Sequence, residues 1–189
     1  MTVPFRSMPA ITFAAALLLA AAAWAEDGKI VVTMHKVGVT GLGAKAGTIT
    51  FSDGPYGLVI QPDLEGVPPG PHATHVHVNP DCGPSGSGAK VVVAGAAGGH
   101  LDPAKTGKDL GPYLEGSLGD LPNTFVESDG TATIPSVAPR LKLADLKGRS
   151  IMLHANPDRY APLAGMPVKT PFDRENPGSG ARILCGIVP

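Results

Sequence analysis

What most restricts this chain is the spacing of its turn-forming residues. Its 189 residues include 25 glycines and 20 prolines, which separate short apolar or alternating runs. "KIVVTMH" (29–35), "GTITFS" (47–52), "YGLVIQ" (56–61) and "HATHVHV" (72–78) come first. "KVVVAG" (90–95), "TATIPSV" (131–137), "SIMLHA" (150–155) and "ARILCGIV" (181–188) follow. Rich in Val, Ile and Thr and bounded by Gly, Pro, Asp or Asn, such runs suit a pleated, half-buried ribbon. Only "APRLKLADLKGR" (138–149) leaves room for a helical turn. Many short strands joined by Gly/Pro turns predict an all-β antiparallel sandwich or flattened barrel. Two connections, roughly 95–123 and 156–180, are too long for simple turns, and long loops in a β domain tend to carry function.

The first residues, "MTVPFRSMPAITFAAALLLAAAAWA", are set apart from this pattern. One basic residue, Arg6, precedes an apolar run that ends in the small-x-small tripeptide Ala23–Trp24–Ala25, the layout of a secretory signal cleaved after Ala25. The apolar run is too short and too rich in alanine for a permanent membrane span, so no stable membrane association is expected once it is removed. An uncleaved anchor is the alternative. Residues 26–189 then form a single domain, long enough for a real core. Loss of Arg6 alone takes the formal charge from −1 to −2, and the leader also holds the only Trp. A nearly neutral chain without an aromatic stacking platform gives no reason to expect nucleic acid as a partner. Two cysteines, Cys82 and Cys185, remain. In an exported chain such a pair reads as a disulfide, with two separate thiols as the weaker reading.

Three of the six histidines lie within residues 72–78. On a strand, His75 and His77 point to the same face and can converge on one ion, while Val76 points away. Buried imidazoles need a hydrogen bond or a ligand. His100 begins the first long connection and His154 immediately precedes the second, so these four histidines flank the loops best placed to build a site. Several imidazole nitrogens suit copper, zinc, iron or nickel, and a tetragonal set favours Cu(II). His35 reads as a surface or packing residue. His72, of opposite strand parity to His75, reads as a structural hydrogen-bonding residue.

"GPHATHVHVNPDCGP", "AAGGHLDP", "LGDLP", "IMLHANPD" and "GARILCGIVP" follow one another in the order and approximate spacing of the bacterial periplasmic copper–zinc superoxide dismutases. The chain resembles that family from about "TITFSDGPYGLVIQPDL" to its C-terminus. The resemblance implies a Greek-key antiparallel β-sandwich, a periplasmic location, superoxide as substrate, and copper held by His75, His77, His100 and His154. His100 would be the imidazole shared with a neighbouring zinc. Arg182 would guide the anion at the mouth of the copper channel, and Asp158 would be the carboxylate that links the two metal sites. Cys82 and Cys185 match the family disulfide. Catalytic roles fall to His100 and Arg182.

The pattern breaks in "HLDPAKTGKDLGPYLEGSLGDLP". The zinc aspartate is present as Asp120, but Asp109 and Ser117 stand where two zinc histidines are expected. A neutral serine hydroxyl is seldom a structural zinc ligand. The expectation is therefore a copper superoxide dismutase with either weak residual zinc binding by His100, Asp109 and Asp120, or copper alone. A non-catalytic periplasmic copper-binding or copper-buffering protein is the alternative that the altered loop motivates. No strand displays a self-complementary patch that fixes the oligomeric state, and a homodimer stays open.

Overall fold

Three strands open the fold as a meander. β1 (Lys29–Gly38) pairs antiparallel with β2 (Gly41–Gly54), which pairs with β3 (Gly57–Leu64). Their side chains alternate as a half-buried ribbon requires: Val32 and Met34 are buried while Val31 is exposed, and Leu58, Ile60 and Leu64 point inward from β3. The structure, a computed structural model, describes residues 28–160 and 178–189. The leader expected at 1–25 and most of the second long connection lie outside these residues.

After two short strands, β4 (Gly70–His72) and β5 (Thr74–His77), the chain enters the first long connection. It returns through β6 (Thr124–Val126), β7 (Ser136–Ala138), β8 (Ser150–His154) and β9 (Arg182–Ile187). The main sheet has the order β5-β8-β9-β1-β2-β3-β7, and β4 and β6 form a second ribbon. Every pairing is antiparallel. The last strand returns beside the first, as in Greek-key connectivity, and the sheet curls around one core. That core takes Val32, Phe51, Leu58, Val76, Leu153 and Leu184 from the main sheet and Val126 from the second ribbon. Each large side chain removed from water there contributes about 1.5–3 kcal/mol. The all-β expectation holds.

Three local expectations are corrected. "KVVVAG" (90–95) forms no strand: Gly88–Lys90 and Gly95–Ala97 are single 3-10 turns, and between them Val92 makes only an isolated bridge to Ser85. Ala94 has a left-handed φ of 50°, and Ala94 and Ala97 pack with Met152 and the two cysteines in a small second cluster. Tight packing against a crosslink, not pairing, decides that stretch. "TATIPSV" yields a strand only from Ser136 onward, because Pro135 offers no N–H to a ladder. "HATHVHV" divides at Ala73 into β4 and β5. The helical turn at 138–149 is confirmed as α1 (Leu143–Leu146), where the Lys142 N–H donates to Asp145 Oδ2 at 2.8 Å.

Candidate metal centre

β5 is one edge of the main sheet, yet its backbone is satisfied on both sides. On one side it pairs with β8. On the other, the two ends of the first long connection bond to it: the Leu101 N–H donates to Val76 O at 2.8 Å and the Val76 N–H to Gly119 O at 2.8 Å. Bridges join His77 to His100 and His75 to Asp120. The need to cover a sheet edge therefore carries His100 and Asp120, twenty residues apart in sequence, to the two histidines of β5. His154 arrives at the end of β8, where the pairing with β9 shifts register.

The four rings meet. Ring centroids of His75 lie 3.8 Å from His100 and 4.8 Å from His154, and His77 lies 5.3 Å from His100. One ligand nitrogen from each can be chosen so that all four lie within 4.8 Å of one another. Hydrogen bonds settle which nitrogens these are. His75 Nε2–H donates to Asp158 Oδ2 at 2.5 Å, and His77 Nδ1–H to Gly98 O at 2.9 Å. His154 Nδ1–H donates to Gly180 O at 3.1 Å, and His100 Nδ1–H to Asp120 Oδ1 at 3.0 Å. Carbonyl and carboxylate oxygens only accept, so each bonded nitrogen carries the proton and the other presents a lone pair.

Three of those lone-pair nitrogens, His75 Nδ1, His77 Nε2 and His154 Nε2, are buried without any hydrogen-bond partner. Leaving a buried polar atom unmatched is costly; three aimed into one space call for a ligand they share. Held N–H groups with free, convergent lone pairs are how ligating histidines are usually oriented. Burial, followed by the neighbouring charges of Arg182 and the other histidines, lowers His75 and His154 to about 3 and His77 to about 2. These imidazoles are neutral, as a metal requires. A nitrogen-only donor set fits copper.

Arg182 stands beside the cluster. Its Nη1 donates to Ala94 O at 2.5 Å and its Nη2 to Gly98 O at 2.7 Å, so Gly98 O serves both Arg182 and His77. Gly98 has φ 77°, and a Cβ there would come within 2.7 Å of the Val78 side chain; only glycine lets this carbonyl face both partners. Sequence reading missed Gly98, although "AAGGH" marks a tight approach before a site histidine. The crosslink between Cys82 and Cys185, with Cα atoms 5.8 Å apart, ties this loop to β9.

Asn123, also missed, exchanges two hydrogen bonds with the backbone of Asp158, at 3.0 and 2.9 Å, and so fixes the carboxylate that holds His75. His72 is the structural residue expected: its nitrogens lie 2.7 Å from His154 O and 2.7 Å from Pro68 O. His35 lies on β1, away from the cluster, with Nδ1 3.2 Å from Gly43 O.

On the far side of His100 stand Asp109 and Asp120, which with His100 make the residual set expected for weak zinc binding, with Ser117 in place of a further imidazole. His100 Nδ1 donates to Asp120 Oδ1, and Asp120 Oδ2 accepts the Gly111 N–H at 3.2 Å. Asp109 is raised to about 7, first by burial and then by Asp158 and Asp120, and its Oδ1 is buried without a hydrogen-bond partner. Burial alone would raise Asp120, but its bond to His100 and the charge of that ring outweigh it and the group is lowered. Ser117 is buried and offers only a neutral hydroxyl. One imidazole, two carboxyls and a neutral serine hydroxyl fall short of the closed tetrahedral set of a structural zinc site.

Fold and donors together define a β-sandwich metalloprotein with a nitrogen-only centre suited to a redox metal. The family model for copper/zinc superoxide dismutase matches residues 45–188. Copper–zinc superoxide dismutase 1 of Salmonella typhimurium is 46% identical over 182 residues, covering 94% of this chain and 96% of that protein. The Cu/Zn superoxide dismutase from Brucella abortus superposes with TM-score 0.75 at 40% identity, over 85% of this chain and 99% of that one. The monomeric copper, zinc superoxide dismutase from Salmonella enterica gives 0.72 at 39% identity, over 85% and 99%. The chain belongs to the copper/zinc superoxide dismutase family.

Proposed function

We propose that this protein is a superoxide dismutase whose copper is held by His75 through Nδ1 and by His77, His100 and His154 through Nε2, with no zinc required. The convergence of three buried, partnerless imidazole nitrogens supports this reading most directly. Copper bound there supplies one-electron cycling between Cu(II) and Cu(I), so that two superoxide anions and two protons become oxygen and hydrogen peroxide. Arg182 offers a permanent, planar charge beside the cluster, suited to docking a small anion. His100 is the exposed member, with 24% of its side chain accessible against none for His75. With Nε2 released from copper, His100 can take a proton from solvent there and give it up to peroxide, freeing the lone pair again, while Asp120 fixes its orientation through Nδ1. Asp158 and Gly98 orient His75 and His77.

Export to the periplasm, with cleavage after Ala25 and residues 26–189 as the working domain, belongs to the same reading. It is supported by the leader-like composition of residues 1–25 and by a disulfide of the kind oxidising compartments favour. Among the described residues no helix is long and apolar enough to cross a membrane. Superoxide consumption by copper-loaded protein and by His154→Ala tests the function. Rapid, copper-dependent consumption lost in the variant is expected. Tight copper binding without turnover would instead establish copper buffering.

A further inference from the structure

We infer that Arg140 closes the loop that carries Asp120 without need of a zinc ion, and so acts as a positioning residue for His100. The inference rests on the reading of His100 as a copper ligand.

Arg140 follows β7 and Pro139, on the edge of the main sheet. Its Nε donates to Pro112 O at 3.2 Å and its Nη1 to Gly116 O at 3.0 Å. Its Nη2 donates to Ser117 O at 2.6 Å and more weakly to Gly111 O at 3.4 Å. One guanidinium thus gathers four carbonyls from residues 111–117, a stretch bracketed by Asp109 and Ser117, where zinc histidines were expected. Such a stretch gains from an internal organiser, because its two largest apolar side chains face solvent: Tyr113 is 65% exposed and Leu114 48%. A planar fork of five N–H donors can hold several carbonyls at once; a lysine ammonium cannot reproduce that geometry.

The same peptides hold Asp120 at two points. The Gly111 N–H donates to its Oδ2 at 3.2 Å, and Ser117 O accepts its backbone N–H at 3.3 Å. Asp120 Oδ1 then accepts His100 Nδ1–H. A continuous path of hydrogen bonds runs from the sheet, through Arg140 and the loop, to the one imidazole of the cluster that is not buried. A zinc ion bound to His100 and Asp120 would fix the same two side chains; here a guanidinium fixes them from behind.

Hydrogen exchange on purified metal-free protein tests the closure without involving copper. In Arg140→Gln and Arg140→Lys, amides of residues 108–120 should exchange about 10-fold faster or more, with β1–β3 protection unchanged. Equal exchange in wild type and both variants would overturn the inference. Should Arg140→Gln lose sheet protection as well, Arg140→Lys, which keeps charge and reach, decides. Copper titration and copper electron paramagnetic resonance form the second arm. Both variants should bind copper about 10-fold more weakly, the cost expected when the group orienting a ligand is lost, and with altered hyperfine splitting. Adding Asp109→His and Ser117→His to Arg140→Gln, then supplying zinc, should restore the wild-type spectrum. A wild-type spectrum in Arg140→Gln without that rescue would overturn the inference. Failure of wild-type protein to bind copper would sink the functional reading alone, since loop exchange still judges Arg140.

Discussion

Each imidazole of the cluster has one nitrogen fixed by an acceptor and the other turned inward, so the chemistry at the residue scale is one of orientation and protonation. His75, His77 and His154 have folded pKa values of about 3, 2 and 3 against 6.5 when exposed. The unfolded chain therefore binds more protons in that window, and the stability these groups confer is present above 6.5 and lost as pH falls. Asp109 and Asp158, raised to about 7 and 6, act in the opposite sense, losing their contribution as pH rises through those values. Comparing metal-free wild type with His77→Gln isolates the imidazole: its Tm should decline less steeply between about pH 6.5 and pH 4. An unchanged slope would mean His77 is not buried neutral. Arg182→Ala should lower kcat/KM by about 10-fold and flatten its dependence on ionic strength, with copper content unchanged, as loss of a guiding charge implies. Stopped-flow superoxide decay at several salt concentrations reads both effects; unaltered salt dependence removes the guiding role.

At the scale of elements, the loop before His100 depends on the crosslink. Residues 94–98 supply both carbonyls that hold Arg182 and the one that holds His77, yet they form no strand. Cys82 ties this region to β9 across a separation of 103 residues. Closing so long a loop stabilises by roughly 4–5 kcal/mol in the chain-entropy view. Paired Cys82→Ser and Cys185→Ser replacement should lower urea-derived stability by about that amount. Because Arg182 and Cys185 share β9, it should also slow turnover more than it weakens copper binding. Copper loss with intact turnover per copper would show that the crosslink guards the ligands rather than the anion guide.

Taken as a whole molecule, the fold binds copper in its native state only, so copper should raise stability by mass action, about 2.7 kcal/mol at a hundredfold excess over Kd. Scanning calorimetry with copper, then with zinc added, should show a large first shift and little second one. Elemental analysis of protein supplied with both metals should find one copper and far less zinc per chain; stoichiometric zinc would refute the misfit drawn from Asp109 and Ser117. The four clustered histidines and the cysteine pair were legible in the sequence, Arg182 and Asp158 through the family resemblance, and the β class from punctuated Val/Ile/Thr runs, because motifs and runs are properties of local order along the chain. The identity of the residues at 109 and 117 likewise announced an altered zinc loop. What only the tertiary structure decided is how that loop is closed: Arg140, Gly98 and Asn123 act through backbone groups distant in sequence. Carbonyl and N–H groups are the same at every position, so a sequence cannot say which guanidinium or amide will find them; only packing brings Arg140 to Gly111–Ser117 and turns "KVVVAG" away from any strand partner.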